Sequence, residues 1–589
     1  MPRSLPLLIL LAAAVLAGSA VLRFTGLDWL LPSLIEQDAH IPVQVRLMEG
    51  GATDAARPLD WGTYPHLVAR LTQWLTPAEE WVPPAAGDDV ALELHLARAR
   101  WPVLRVRLVV ALLSLLAVPA SWLLARRFLT PGWSLLAAAL VGTSLLAVHF
   151  GTQARAHGAA LGLDVLAVLA CMRLARRGGV ADYALAGLAV AAAIACLQSG
   201  LATLPPLAVA HLRAVRGRGV SRHVLLAIPL ACIALALLAF YPFLFEASRG
   251  EDGARLAVEG GVLVLAKHQV FLDLFNGLGF VVLGRALWEW EPALCVGAVG
   301  GTIMLWLARR GPSADAARRS DRLVMLAFVL PYALVIGLYQ RSYERFLLPL
   351  VPFLALLAAW GVARLAETLR SLASRRALVV PAAVLLLGFP TLVAARLVAL
   401  RLAPSTLQQA AAWVEEHAEP ASGRVLLGRP LTLPLFKSHA SLALDAGQRL
   451  DRGLGWASYQ SAVLGEARPQ PAFHVSWIAE PDEPALQAAL AQGPRRWVTS
   501  LPADIGIIEP CVDESVSLTL AVVTAALRDS CERLARLSPD GEPDAHGTRL
   551  AYQDEAAGAV VPMAWRVLHA ARCGPVLEIF RLPREGAVR

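Results

Sequence analysis

Residues 105–127 read Arg105-Val106-Arg107-Leu108-Val109-Val110-Ala111-Leu112-Leu113-Ser114-Leu115-Leu116-Ala117-Val118-Pro119-Ala120-Ser121-Trp122-Leu123-Leu124-Ala125-Arg126-Arg127. An apolar run of this length, closed by arginines, crosses the roughly 30 Å of bilayer hydrocarbon as a helix rising about 1.5 Å per residue. The rest of the chain repeats the pattern. Further spans are predicted at 5–22, 133–151, 157–175, 184–199, 200–213, 223–245, 292–308, 323–340, 345–363 and 377–398, about eleven in all. The 589 residues are 57% hydrophobic and only 17% charged, with a mean hydropathy of +0.55. Soluble domains carry nearer a quarter charged residues, so lipid is the main solvent of this chain.

The loops orient the bundle. Arg126 and Arg127, then Arg173, Arg176 and Arg177, then Arg213, Arg216, Arg218 and Arg222 fall on one side. Arg309, Arg310, Arg318, Arg319 and Arg322, and Arg364, Arg370, Arg375 and Arg376, continue the series. Loop 246–291 carries Glu246, Glu251, Asp252, Glu259, Asp273, Glu289 and Glu291 instead. Positive loops face the cytoplasm, which places the N-terminus inside and the tail outside a cell (inner) membrane. The net charge of +7 therefore belongs to loop clusters, and nucleic acid is not an expected partner. The first apolar run ends near Ala17, Gly18, Ser19 and Ala20, as a signal peptide would, but its length favours a retained helix.

The fold class expected is a polytopic α-helical membrane protein with a soluble α/β domain. Residues 1–400 form the membrane part, including a long outer loop over 23–104, and 401–589 form the extracytoplasmic domain. In that domain Ser405 caps a helix over 406–418, strands are expected at 425–427, 497–499 and 576–580, and a second helix at 516–537. Cys511, Cys531 and Cys573 lie there, so one disulfide with one thiol left over fits an outside location; the sequence does not choose the pair.

Candidate chemistry lies on the outer face. Glu36 and Asp38 follow the first span, where carboxylates can take a proton from a hydroxyl or hold a metal; as loop acids they can equally be merely solvated. Arg155 and His157 flank the start of the fourth span. Arginine there can pair with a lipid phosphate or simply anchor the helix end, and histidine can move a proton. Asp164 sits inside that span, as either a functional acid or a helix-packing group.

In order along the chain stand Asp38-Ala39-His40, Val45-Arg46-Leu47-Met48-Glu49, Thr63-Tyr64-Pro65-His66 and Arg105-Val106-Arg107. Ala154-Arg155-Ala156-His157, Leu197-Gln198-Ser199-Gly200, Phe240-Tyr241-Pro242-Phe243 and Tyr343-Glu344-Arg345-Phe346-Leu347-Leu348-Pro349 follow. This order resembles the GT-C membrane glycosyltransferases, close to the dolichyl- or polyprenyl-phosphate-mannose, protein O-mannosyltransferase-like branch, over about residues 1–400. The resemblance implies an inverting transfer of a sugar from a polyprenyl-phosphate donor to a glycan, lipid or protein acceptor at the outer face. It implies Asp38, with Glu36, as base, and Arg155, Arg345 and Arg105 on the donor phosphate. It places Tyr64, His66, His157 and Gln198 in the substrate pocket. A divalent metal serves some members. The chain departs from the pattern at Ala39, where a second acid is usual, at His157, where Asp is usual, and at Gln198, where Lys is common. Those departures support an alternative, a noncatalytic relative that binds lipid-linked glycan or scaffolds a partner. A transporter, which would show internal repeats and charges deep in several spans, ranks last.

Overall fold

A computed structural model describes residues 5–33, 36, 40–50, 66–78, 92–216, 220–241, 257–259, 262–265, 268–307, 316–369, 375–419, 423–428, 431–448, 454–463, 471–478, 484–491, 493–499, 501, 503–510, 518–539 and 562–583. Among these, seven stretches are long and apolar enough to cross a membrane: Leu5–Phe24, Leu92–Ala125, Ala156–Arg177, Ser221–Phe240, Ala317–Leu338, Glu344–Thr368 and Val379–His417. Shorter apolar helices cover Pro131–Thr143, Val180–Cys196 and Pro292–Trp306. The chain is a polytopic helical membrane protein with a sheet-containing C-terminal region.

In chain order the helices are α1 (Leu5–Phe24), α2 (His40–Glu49), α3 (Leu67–Leu75), α4 (Leu92–Leu115), α5 (Ala117–Ala125), α6 (Pro131–Thr143), α7 (Leu145–Phe150) and α8 (Ala156–Arg177). They continue as α9 (Val180–Cys196), α10 (Leu204–Val215), α11 (Ala227–Phe240), α12 (Leu278–Trp290), α13 (Pro292–Leu307), α14 (Ala316–Leu338), α15 (Val351–Thr368) and α16 (Arg375–Leu402).

Two departures from the periodicity have visible causes. The run predicted as one span over 133–151 breaks into α6 and α7 at Ser144. The Glu291 carboxylate accepts hydrogen bonds there from Ser144 Oγ (2.6 Å) and the Leu146 N–H (2.9 Å), which satisfies a backbone donor that the break exposes. Within the stretch read as an outer loop, 278–290 is helical. It packs on α14 at Gly279, where a Cβ would meet Tyr339 O at 2.3 Å.

Close glycine contacts set the crossings. A Cβ on Gly361 of α15 would lie 2.7 Å from the Gly301 Cα of α13, so these helices touch backbone to backbone, as small residues permit in membranes. Gly361→Leu is expected to destabilise the bundle by about 1–3 kcal/mol through overpacking. The check is the thermal midpoint of the detergent-purified protein, and an unchanged midpoint would refute the crossing.

The tail opens with α17 (Thr406–His417), capped as expected. Ser405 Oγ accepts from the Gln408 N–H (3.3 Å), and Gln408 Oε1 accepts from the Ser405 N–H (2.8 Å). A small antiparallel sheet of β1 (Ala257–Glu259), β2 (Val262–Leu265) and β3 (His268–Phe271) precedes α12. The tail adds β4 (Arg424–Leu427), β5 (His474–Trp477), β6 (Ile505–Ile508), β7 (Glu532–Leu537) and β8 (Leu577–Arg581) in the order β5-β4-β6-β8-β7. β4 runs parallel to β5 and β6, and β8 runs antiparallel to β6 and β7. Residues 497–499, expected as strand, end a helix begun at Pro494, and 516–537 divides into helix Leu518–Ser530 and β7. Proline favours the first helical turn, which accounts for the first of these.

The tail is tied to the bundle. His95 Nδ1 of α4 lies 3.0 Å from Tyr459 Oη, and Arg396 of α16 donates to Ala570 O at 2.6 Å. Cys531 and Cys573 are both free thiols, so they are not bonded to each other; Cys511 lies outside the described residues. Burial pushes the Cys573 thiol up to about 11. At pH 8 only about one molecule in a thousand would then hold the reactive thiolate. Alkylation of Cys573 is expected to await unfolding, and labelling of the native protein within minutes would contradict this.

Candidate functional site

Four of the residues singled out in the sequence line one chamber. It encloses about 270 Å³ and is walled by Arg155, His157, Gln198 and Arg345 together with Ile41 and Phe346. The elements that place them are irregular by necessity. Arg155 is the extended N-cap of α8 (φ −127°, ψ 143°), which sets its side chain at the mouth of the helix while His157 lies in the first turn. Gln198 follows an extended Leu197 and opens a 3-10 turn, Gln198–Thr203, between α9 and α10. That turn folds back tightly: a Cβ on Gly200 would fall 2.4 Å from the Ala193 carbonyl group, so only glycine fits there. Arg345 rides on a second 3-10 turn, Glu344–Leu350, which leads into α15.

Aromatic contacts fix the directions of these groups. The Arg345 guanidinium stands 4.3 Å from the Tyr343 ring centroid and 5.5 Å from that of Phe346. The His157 ring stacks on Phe346 at 6.1 Å with 23° between planes. Phe346 is anchored in turn, because Tyr332 Oη donates to its carbonyl at 2.9 Å. Arg155 and Arg345 are both buried, at 3% and 8% exposure. Two guanidinium groups in a partly apolar chamber suit an anion, since arginine presents a planar fork to phosphate oxygens.

Of the remaining candidates, Glu36, His66 and Arg105 are described and do not belong to the chamber wall. Arg105 is held bidentately by Glu49, Nη1 to Oε1 at 2.7 Å and Nη2 to Oε2 at 2.6 Å, and is not part of the chamber wall. His66 precedes α3, its N–H bonded to Phe240 O at 3.1 Å. Asp38 and Tyr64 lie outside the described residues. Glu36 is buried and bound by Arg107, whose Nε lies 2.7 Å from Oε1. The same oxygen accepts from the Ala154 N–H at 3.3 Å, directly before Arg155.

Sequence reading did not single out Arg107. Its guanidinium is fully buried, donates to Leu27 O and Trp29 O at 2.6 and 3.0 Å, and stands 4.8 Å from the Trp29 ring centroid. The signal available was its place two residues beyond Arg105, within a run otherwise apolar. Asp164 lies two turns below Ala156 on the inner face of α8. It is fully buried, with neither carboxyl oxygen hydrogen-bonded among the described residues. The described residues do not fit a divalent ion, because Glu36 is already neutralised by Arg107 and the charged groups of the chamber wall are arginines.

The fold and chamber define a polytopic membrane protein with two arginines in a cavity formed where helices give way to 3-10 turns. In overall architecture the chain is similar to the Archaeoglobus fulgidus oligosaccharyltransferase (TM-score 0.44, 11% identity), over 96% of this chain and 78% of that one. It is also similar to ArnT from Cupriavidus metallidurans, in the apo state (TM-score 0.42, 16% identity) and bound to undecaprenyl phosphate (TM-score 0.42, 17% identity), over 90% of this chain and 95% of that one. Neither likeness singles out the mannosyltransferase branch expected from the sequence. No family profile and no curated protein matches the sequence.

Proposed function

We propose that the chain is a membrane glycosyltransferase that moves a sugar from a polyprenyl-phosphate donor to an acceptor hydroxyl at the outer face. The observation that carries the reading is the meeting of Arg155 and Arg345, nearly 200 residues apart in sequence, in one largely buried chamber. Such a pair holds the donor phosphate and stabilises the charge that grows on it as the glycosidic bond breaks. The acceptor oxygen attacks the anomeric carbon, the carbon–phosphate-oxygen bond cleaves with inversion, and the lipid phosphate leaves as the anion. Asp38 takes the hydroxyl proton. In sequence it lies between Glu36, bonded beside Arg155, and Ile41, which walls the chamber. Glu36 serves as the anchor of this connection, since Arg107 already engages its carboxylate. His157 and Gln198 contact the sugar or its phosphate; Tyr64 and His66 belong to the acceptor side.

The test is transfer from a synthetic polyprenyl-phosphate sugar in membranes holding the parent chain or Asp38→Asn. Loss of at least about 100-fold in the variant is expected for removal of a general base. Full activity of Asp38→Asn would overturn the role of Asp38. A parent that binds the donor but transfers nothing to protein, lipid or glycan acceptors would instead favour the noncatalytic reading. Gln198, in place of lysine at the chamber wall, is the feature that keeps this second reading in view.

A further inference from the structure

Far along the bundle from the chamber, α5, α8 and α9 enclose a second, more open cavity of about 640 Å³. Its floor is one face of α8, with Leu163, Leu166 and Ala170 at helical spacing. One wall is Leu123 of α5, and the other is Leu185, Leu188, Ala189 and Ala192 of α9. Leu123, Leu185 and Leu188 are 47%, 43% and 62% exposed, so the groove opens towards the lipid-facing side of the bundle.

Its polar end is not apolar at all. Arg126, Arg127 and Arg173 line it, at the point where α5 and α8 both finish. Arg176 and Arg177 stand close to Arg127, and among the described residues Asp182 and Asp321 are the acids that meet this cluster. Arg173 is committed to Asp182, Nε to Oδ1 at 2.7 Å, and Arg176 to Asp321, Nε to Oδ1 at 2.9 Å. Arg126 reaches only the Leu129 carbonyl, at 3.4 Å, and Arg127 makes no side-chain hydrogen bond among the described residues. Among the described residues, Arg126, Arg127, Arg173 and Arg176 set against Asp182 and Asp321 leave an unbalanced positive charge at the end of an apolar groove. Burial, with the like charges of Arg176, Arg177 and Arg173, pushes the Arg127 guanidinium below its ordinary range, against the opposing pull of the Asp321 carboxylate.

We propose that this groove seats a glycerophospholipid with an anionic headgroup, its phosphate on Arg126 and Arg127 and one acyl chain along the α5–α8–α9 groove. The charge and the apolar channel are each ordinary at a membrane surface. Their junction within one cavity matches the two halves of a phospholipid and no soluble anion. Basic residues at the charged leaflet attract anionic lipid, and the groove adds burial of the chain. The inference is independent of the sugar-transfer reading, because it concerns the arginine-bearing face rather than the chamber of Arg155 and Arg345.

The experiment is native mass spectrometry of the whole chain in detergent, supplied with equal amounts of phosphatidylglycerol and phosphatidylcholine. The parent is expected to retain phosphatidylglycerol at least tenfold over phosphatidylcholine. The double substitution Arg126→Gln, Arg127→Gln is expected to abolish that preference. Ala189→Trp, which fills the groove and leaves both arginines, is expected to remove retention of either lipid. Ala192→Leu takes its place should the tryptophan variant not run as a single folded species. Equal retention of the two lipids by the parent would overturn the proposal, as would a preference that survives the double substitution. Displacement of phosphatidylglycerol by millimolar inorganic phosphate would also overturn it, since the groove would then contribute nothing.

Discussion

Arg345→Ala is expected to lower sugar transfer from a polyprenyl-phosphate donor by about 100- to 1,000-fold, the cost usually seen when one preorganised partner of a developing anion is removed. The Arg345 guanidinium is held over Tyr343 and Phe346 on a short 3-10 turn, so nothing reorganises when the phosphate leaves. Arg345→Lys is expected to recover only part of the loss. A lysine keeps the charge but not the planar fork or the stacking on two rings. Donor titrations separate binding from the chemical step. A role confined to the ground state would raise KM and leave kcat intact, whereas a phosphate-stabilising role lowers kcat. Equal activity of the alanine variant would remove Arg345 from the site. Purified protein with an unchanged thermal midpoint rules out collapse of the turn as the cause.

Arg107→Ala is expected to carry the largest stability effect, about 3–5 kcal/mol, because it strands a buried carboxylate without its counter-charge. Glu36 is 4% exposed, Arg107 fully buried, and the pair joins the first loop to α4 while Glu36 also holds the segment before Arg155. The readout is the thermal midpoint in detergent. Replacing both members by apolar residues of similar size is expected to cost much less than either single change, since no charge is then left unpaired. Single and double variants that lose stability equally would show that ion pairing is not what stabilises this junction.

The membrane part was legible because hydrocarbon thickness imposes a length on every apolar run, and α1, α8, α11 and α15 lie close to where the runs of apolar residues begin and end. Interruptions inside the bilayer were not, because they depend on a partner far away in sequence. Ser144 gives no local signal that Glu291 will occupy the break beside it, and the thirteen residues of α12 are too few to announce a span. In the tail, Val425–Leu427 showed as a buried strand through its apolar run, whereas Trp497–Thr499, read in the same way, is helical. Short apolar runs do not distinguish the two states.

The chamber was legible as a set of residue types and not as a geometry. Arg155 and His157 could be picked out because they stand where a predicted span begins, and Gln198 and Arg345 because their stretches resemble the GT-C pattern. Arg105 and Arg107 share the first property and differ only in their partners, Glu49 for one and Glu36 for the other. No spacing rule separates an arginine that lines the chamber from one that lies outside its wall. The fold of the first loop decides it.

The contact between Gly301 and Gly361 has a mechanical consequence for the chamber. Two helices in backbone contact cannot slide or part without losing their whole interface, so α13 and α15 act as a single stave. The turn bearing Arg345 runs straight into α15 and inherits that stiffness. For the proposed donor, the wall expected to give way on entry is then one other than α15, and Ile41 of α2 belongs to the lining outside that helix.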